Sequence, residues 1–333
     1  MTRNKYMLLI IGLIIAIIAS GLVSLNLGVI SISPLEVWNT ITGHGTSQQE
    51  LVLFRFRLPG IILAVLIGMG LAVSGAVLQS ITQNELAEPG IIGINAGAGL
   101  SIVLFIFFFQ QNISLESSLS IFIMPASALI GAFIAALIIY LLSWRNGISP
   151  IRLILVGIGV NAGFHAALII FQLKMNPQDF RQVTVWLTGD IWSANWTFVY
   201  ALIPWILLLI PIVIWKSRTL NVMNLTDPVA SSLGTSVERE RLLLLLLAVG
   251  LAGASVAAGG GIAFLGLIAP HIARKLVGPL HQFMIPVSAL LGAFIVVTAD
   301  ILAQNLFAPT ALPVGIIIAL MSAPYFIYLL LKT

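Results

Sequence analysis

Nine stretches of this chain run for more than about 20 residues without a charged side chain, the length a helix needs to cross the hydrocarbon core of a bilayer. They cover residues 6–35, 58–84, 89–115, 117–144, 153–173, 191–215, 242–273, 276–299 and 301–331. Each is continuously apolar and lacks the alternation over about ten residues that a lipid-facing barrel strand requires, so helices are expected. With 59% hydrophobic and only 8% charged residues, the chain has too few polar groups to cover a water-facing surface.

The seventh stretch contains Gly259-Gly260-Gly261. Consecutive glycines are poor continuous helix, so this stretch is split into a helix ending near Ala258 and a shorter one over 262–277. The expected fold is an all-α integral membrane protein of about ten transmembrane helices. It forms a single domain over 1–333, because no segment is long and polar enough to make a separate soluble one.

Arg3 and Lys5 precede the first stretch, which is about twice the 7 to 15 residues of a cleavable signal core, so it is read as a retained first helix. Basic residues in the connections set the orientation. With ten crossings and the N-terminus inside, Arg3, Lys5, Arg145, Arg152, Lys216, Arg218, Arg239, Arg241, Arg274, Lys275 and Lys332 fall inside. Arg55, Arg57, Lys174 and Arg181 fall outside, so both termini are expected in the cytoplasm. The pI near 9.6 reflects basic residues scattered at helix ends and not one nucleic-acid patch. The absence of cysteine excludes disulfides, thiolate chemistry and Cys-ligated metal.

Four interruptions carry the rest. An outer segment, 35–57, ends in Leu58-Pro59-Gly60, where proline suits the first turn of the next helix. A second, 174–196, has Asn176-Pro177 as N-cap and first helical residue, and Phe180, Val183, Trp186 and Leu187 recur at helical spacing. With Trp192 and Trp196 it reads as a short interfacial helix, although an aromatic belt alone accounts for the tryptophans. Inside, 220–241 holds a helix start at Thr226-Asp227-Pro228 and a stop at Gly234; Thr235 and Glu238 then match a capping box for the next helix. A short capped helix outside the membrane suits a docking element, and an ordinary ordered loop is the alternative. The fourth interruption, Glu85-Leu86-Ala87-Glu88-Pro89-Gly90, places two carboxylates beside proline and glycine. Non-helical backbone at membrane depth is tolerated only against protein or a water-filled cavity.

There is no Gly-x-x-x-x-Gly-Lys-Ser/Thr loop, no His-Glu-x-x-His and no Gly-x-Ser-x-Gly, and the four histidines lie far apart. Neither ATP hydrolysis nor any other enzymatic reaction is expected of this chain, and no cofactor.

Six motifs stand in order along the chain: Arg57-Leu58-Pro59, Gly75-Ala76-Val77-Leu78-Gln79, residues 84–93 (Asn-Glu-Leu-Ala-Glu-Pro-Gly-Ile-Ile-Gly), Gly266-Leu267-Ile268-Ala269-Pro270-His271, Ala299-Asp300 and Leu312-Pro313-Val314-Gly315. The set is similar to the iron-siderophore and vitamin B12 permease (FecCD-type) family of ABC importers. Residues 176–180 and 191–196 resemble its Gram-positive ferric-siderophore members. The resemblance implies a ten-helix permease in a bacterial plasma membrane that works with a second permease, two cytoplasmic ATP-binding subunits and an extracytoplasmic substrate-binding protein, and moves iron(III)-siderophore complexes. Vitamin B12 and haem are the alternatives within the family. Outside it stands an ion-coupled secondary transporter using Glu85, Glu88 and Asp300.

The resemblance also implies roles. Residues Thr226, Asp227, Pro228 and Gly234 match the segment that couples ATPase motion to the permease. Asn84 and Leu86 match a constriction at the cytoplasmic end of the pathway, and the 147–152 turn, with Pro150 and Ile151, matches a second. Helix five would line the path with Asn161 and His165, four residues apart on one face. Alternatively both hydrogen-bond between helices, because Gly159 and Gly163 permit close packing. Arg57 matches an external arginine that docks the binding protein. The chain departs from the family at Gly60 and Gln304, where further arginines are usual, and at Ala311, where a glutamate is usual. Those departures imply a non-identical second permease.

Overall fold

The computed structural model describes residues 2–27, 32–109, 120–145, 147–191, 194–308 and 310–332. In chain order the helices are α1 (Arg3–Asn26), α2 (Pro34–Ile41), α3 (Ser47–Glu50), a π-helical stretch (Leu51–Arg57), α4 (Leu58–Thr82), α5 (Pro89–Ile92), α6 (Ile94–Phe109), α7 (Ser120–Ser143), α8 (Pro150–Gln172), α9 (Pro177–Leu187), α10 (Trp196–Trp215), α11 (Ser217–Met223), α12 (Asp227–Ser232), α13 (Val237–Gly259), α14 (Leu265–Val277), α15 (His281–Asn305) and α16 (Val314–Lys332).

Among the described residues, α1, α4, α7, α8, α10, α13 and α15 are long and apolar enough to cross a membrane. The shorter apolar helices α6 and α16, together with α14, complete the expected set of about ten. Burial ranks them. In α4 and α13, 78% of the apolar window is buried, against 17% in α1 and α8, so the first pair forms the centre and the second the rim.

Small residues let backbones approach where lipid supplies no hydrophobic drive between helices. Gly68 of α4 meets Gly292 of α15, and Gly75 of α4 meets Gly266 of α14; a side chain at either α4 position would overlap the facing carbonyl. On a third side, Ser74 Oγ donates to the Ala248 carbonyl of α13 at 2.7 Å.

The glycine triplet divides α13 from α14 as expected. Gly260 takes φ +71°, and Gly261 N donates to the Trp186 carbonyl at the end of α9 (3.2 Å). The α9 start is also as read from sequence: Asn176 Oδ1 accepts from the amides of Gln178 and Asp179 at 3.0 and 2.9 Å. Trp192 lies outside the described residues.

The outer segment 35–57 holds α2, α3 and the π-helical stretch, which runs directly into α4 with Pro59 in its first turn, as read from sequence. Two expectations are corrected. The stretch 89–115 is not one helix: it breaks at Gly93, whose φ of +99° separates α5 from α6. Thr235 and Glu238 form no capping box. The N-cap of α13 is Ser236, without a side-chain cap bond, and the Glu238 carboxylate turns instead to the amide of Ile148.

Candidate functional site

The bonds of Arg152, Lys216, Arg241 and Arg274 gather at one end of the bundle. Two surface helices, α11 and α12, sit there. Thr226 precedes α12 in extended conformation, Pro228 lies in its first turn and Gly234 follows it with φ +83°. Ala230 faces inward and is buried, whereas Val229 and Leu233 face outward, Leu233 62% exposed. The outward side of this short helix thus presents two apolar side chains.

Side chains tie this end to the bundle. Gln83 Nε2 donates to the carbonyls of Met223 (3.1 Å) and Leu225 (2.9 Å), fastening the α11–α12 junction to the end of α4. His281, fully buried, joins three helices: its Nδ1 lies 2.8 Å from Asn221 Oδ1 of α11 and its Nε2 2.5 Å from Ser80 Oγ of α4. Lys216 pairs with Glu240 at 2.7 Å. Arg241, 1% exposed, donates to Asp227 at 2.8 Å and to the Ile148 carbonyl at 2.6 Å.

Beside this end lies the 84–88 break. Asn84 Oδ1 accepts the Leu86 amide at 2.8 Å, turning the chain, and the Leu86 side chain packs on Leu267 and Ile268 of α14. Glu85 is held by Arg274, with His271 at 3.5 Å, and Arg274 also donates to Gln79 Oε1 (3.3 Å). The Glu88 carboxylate, 3% exposed, accepts the backbone N–H of Phe264, a non-glycine residue at φ +65°. Asn95 Nδ2 donates to the Ile262 carbonyl at 3.2 Å. The two helix breaks, near 84–93 and 260–264, are thus bonded to each other.

The first break also rests against α8, where Gly93 and Ile92 pack on the backbone of Asn161 and Gly157. The opposite face of α8 is open. Ile151 is 70% exposed, Leu155, Ile158, Ile169 and Leu173 follow it along the helix, and nothing lies within 4 Å of a side chain added at Gly159 or Gly163. Among the described residues no helix of this chain covers those two glycines, so the close packing they permit is not made here within the chain. His165 is exposed and makes no hydrogen bond among the described residues; Asn161 Oδ1 is buried without a partner. Asn84 and Leu86 share no hydrogen bond or ion pair with Pro150 or Ile151 among the described residues.

At the far end, Arg57 donates to the carbonyl of Leu25 and so ties the start of α4 to the end of α1, while Arg55 beside it is exposed. Gln304, standing where an arginine is usual, donates to the buried Asp300 at 2.8 Å. The sequence reading did not single out Arg241, Glu238 and His281, whose bonds tie this end of the bundle together. The available signal was a Glu-x-x-Arg pair at the mouth of an apolar run, one acid and one base a helical turn apart.

A model of the FecCD transport family matches residues 12–332. The iron(3+)-hydroxamate import system permease protein FhuG of Bacillus subtilis (strain 168) is 56% identical over 329 residues, 99% of this chain and 98% of that protein. The hemin transport system permease protein HmuU of Yersinia pestis is 37% identical over 96% of this chain and 94% of its own length. A solved metal-chelate type ABC transporter in an inward-facing conformation superposes with a TM-score of 0.86 at 30% identity, covering 97% of this chain and 99% of that one. Matched almost from end to end in sequence and in helix arrangement, the chain belongs to the FecCD transport family.

Proposed function

We propose that this chain is the membrane-spanning permease subunit of an ATP-driven, binding-protein-dependent importer in a bacterial plasma membrane, and that it moves iron(III)-siderophore complexes of the hydroxamate kind. The observation that carries this reading is the 56% identity, over 99% of this chain, with the iron(3+)-hydroxamate permease. The hemin relative, less similar, makes haem the second reading, with vitamin B12 behind it.

No bond of the cargo is made or broken here, and no cofactor is held. ATP is hydrolysed by two partner subunits on the cytoplasmic side. The apolar face of α12, with Thr226, Asp227, Pro228 and Gly234 shaping its ends, docks on them. Asn84 and Leu86 at the helix break, and Pro150 and Ile151 at the foot of α8, narrow the path at that same end. The open face of α8, carrying Asn161 and His165, lines the path and meets a second permease. An apolar face with few charges passes a bulky chelate without gripping it, and selection falls to the binding protein.

The clustering of the inward-assigned basic residues at one end supports cytoplasmic termini. Arg57 and exposed Arg55 supply positive charge at the other end for a binding protein's carboxylates. Gly60 and Ala311 offer no charge there and Gln304 is occupied with Asp300, which supports a non-identical partner permease with a fuller docking set. The carboxylates a secondary transporter would use are engaged in structure: Glu85 with Arg274, Glu88 with the Phe264 amide, Asp300 with Gln304.

Uptake of labelled iron(III)-hydroxamate under iron limitation tests the reading. Cells lacking the chain are expected to lose uptake and to regain it with the wild type but not with Val229→Asp/Leu233→Asp, which releases the ATPase subunits on purification. Undiminished uptake of every chelate without the chain would contradict the proposal.

A further inference from the structure

We infer that Arg241, assisted by Glu238, is a positioning residue that carries displacement of α12 to the 147–152 turn at the foot of α8. The inference rests on the reading of α12 as the ATPase-docking helix and α8 as the path-lining helix.

One guanidinium joins the two places. Its Nη2 holds Asp227 Oδ1 at 2.8 Å and its Nη1 holds the Ile148 carbonyl at 2.6 Å. The guanidinium is a rigid plane, so a pull on Asp227 tilts or shifts the edge that grips Ile148. Glu238 grips the same residue from its other side, accepting the Ile148 amide at 3.2 and 3.3 Å. It reaches there because residue 147 is glycine; a Cβ at that position would sit 2.8 Å from the carboxylate. Both backbone polar groups of Ile148 are thus held by side chains from the first turns of α13.

The turn is braced on its far side, so it moves with α8. Arg152 donates to the carbonyls of Ser143 (3.0 Å) and Gly147 (3.4 Å), and Arg145 N donates to the Gly147 carbonyl (3.2 Å). By contrast α12 is lightly held. The Asp227–Arg241 bond is the one side-chain hydrogen bond that α12 makes to the membrane bundle among the described residues. Arg241 is 1% exposed, and a desolvated charge gives up a partner only at high cost. A docking helix that moves must therefore carry the turn with it.

The test uses the full transporter, rebuilt in proteoliposomes with its second permease, ATPase subunits and binding protein, and reads chelate imported per ATP hydrolysed. Arg241→Lys retains the charge, but one ammonium cannot span both partners. It is expected to lower the ratio about tenfold, the consequence of losing one charge-assisted hydrogen bond from the coupling path. Arg241→Gln is expected to do the same. Adding Asp227→Asn to either variant is expected to cause no further fall, because the path is already cut.

An unchanged ratio would overturn the inference, including the case where uptake, hydrolysis and thermal midpoint fall in proportion, as for a purely structural arginine. Losses from Asp227→Asn and Arg241→Lys that multiply would overturn it as well. Should Arg241→Gln fail to fold, Arg241→Lys and Glu238→Gln decide. The underlying reading is checked separately with Val229→Asp/Leu233→Asp: ATPase retained by that variant sinks the docking role of α12, whereas ATPase released with an unchanged Arg241→Lys ratio sinks the relay alone.

Discussion

Gly75→Val is expected to lower the melting point and the yield of folded protein sharply. Gly75 sits where α4 crosses α14, and the added Cβ would fall on the Gly266 carbonyl and its neighbouring backbone atoms. A clash with backbone cannot be relieved by a rotamer change. Nor can α4 retreat, since Gly68 presses on Gly292 of α15 and Ser74 is bonded to α13. Gln79, one turn beyond Gly75, pins the same crossing by donating to the carbonyls of Gly266 and Leu267 at 3.3 Å. The cost should exceed about 3 kcal/mol, the top of the usual overpacking range, against a total stability of about 5 to 15 kcal/mol. The fraction of detergent-solubilised protein eluting as one sharp peak measures it. Gly12→Ala on the rim helix α1, where nothing lies within 4 Å, is the control and should leave stability unchanged or raise it by about 0.5–1 kcal/mol. A well-behaved Gly75→Val protein with an unchanged melting point would refute this packing account.

Glu88→Ala is expected to loosen the start of α14. It removes the acceptor of the Phe264 amide, in a place sealed from water and held in a left-handed conformation that a phenylalanine rarely adopts. Leaving that amide unpaired costs about 2 kcal/mol, or about thirtyfold in the local opening equilibrium. Hydrogen exchange over residues 260–268 should accelerate by that factor while α1 is unaffected. Glu88→Gln keeps an acceptor oxygen and should restore most of the protection. Exchange that does not change in Glu88→Ala would mean that the two helix breaks are not held together by this side chain.

Much of the fold was legible because a bilayer imposes a length. Uninterrupted apolar runs located the crossing helices, and Gly259-Gly260-Gly261 divided α13 from α14 as a glycine triplet should. The short helices α9 and α12 announced themselves by local chemistry: Asn176 and Pro177 at one start, Thr226 and Pro228 at the other. Gly93 was not legible as a break, since Gly97 and Gly99 in the same apolar run stay helical; only packing of α5 against α8 decides among them. The capping-box pattern of Thr235 and Glu238 failed because a local rule met a stronger distant claim. The Ile148 amide, 90 positions away, takes the carboxylate.

For the site, sequence order could propose α12, the 84–90 break and the foot of α8, but not what connects them. Arg241 looked like a topology signal at a helix end, and its partners at 148 and 227 become visible only when α7, α8, α12 and α13 are folded together. His281 is similar: its bonds to Ser80 and Asn221 span 201 and 60 positions.

The most direct measurement of the central claim is import of iron(III)-hydroxamate into proteoliposomes rebuilt from this chain, its second permease, the ATPase subunits and the loaded binding protein. Accumulation is expected to require ATP and binding protein and to persist when a proton uncoupler collapses the gradient. Accumulation that ignores ATP and stops with the uncoupler would contradict the account.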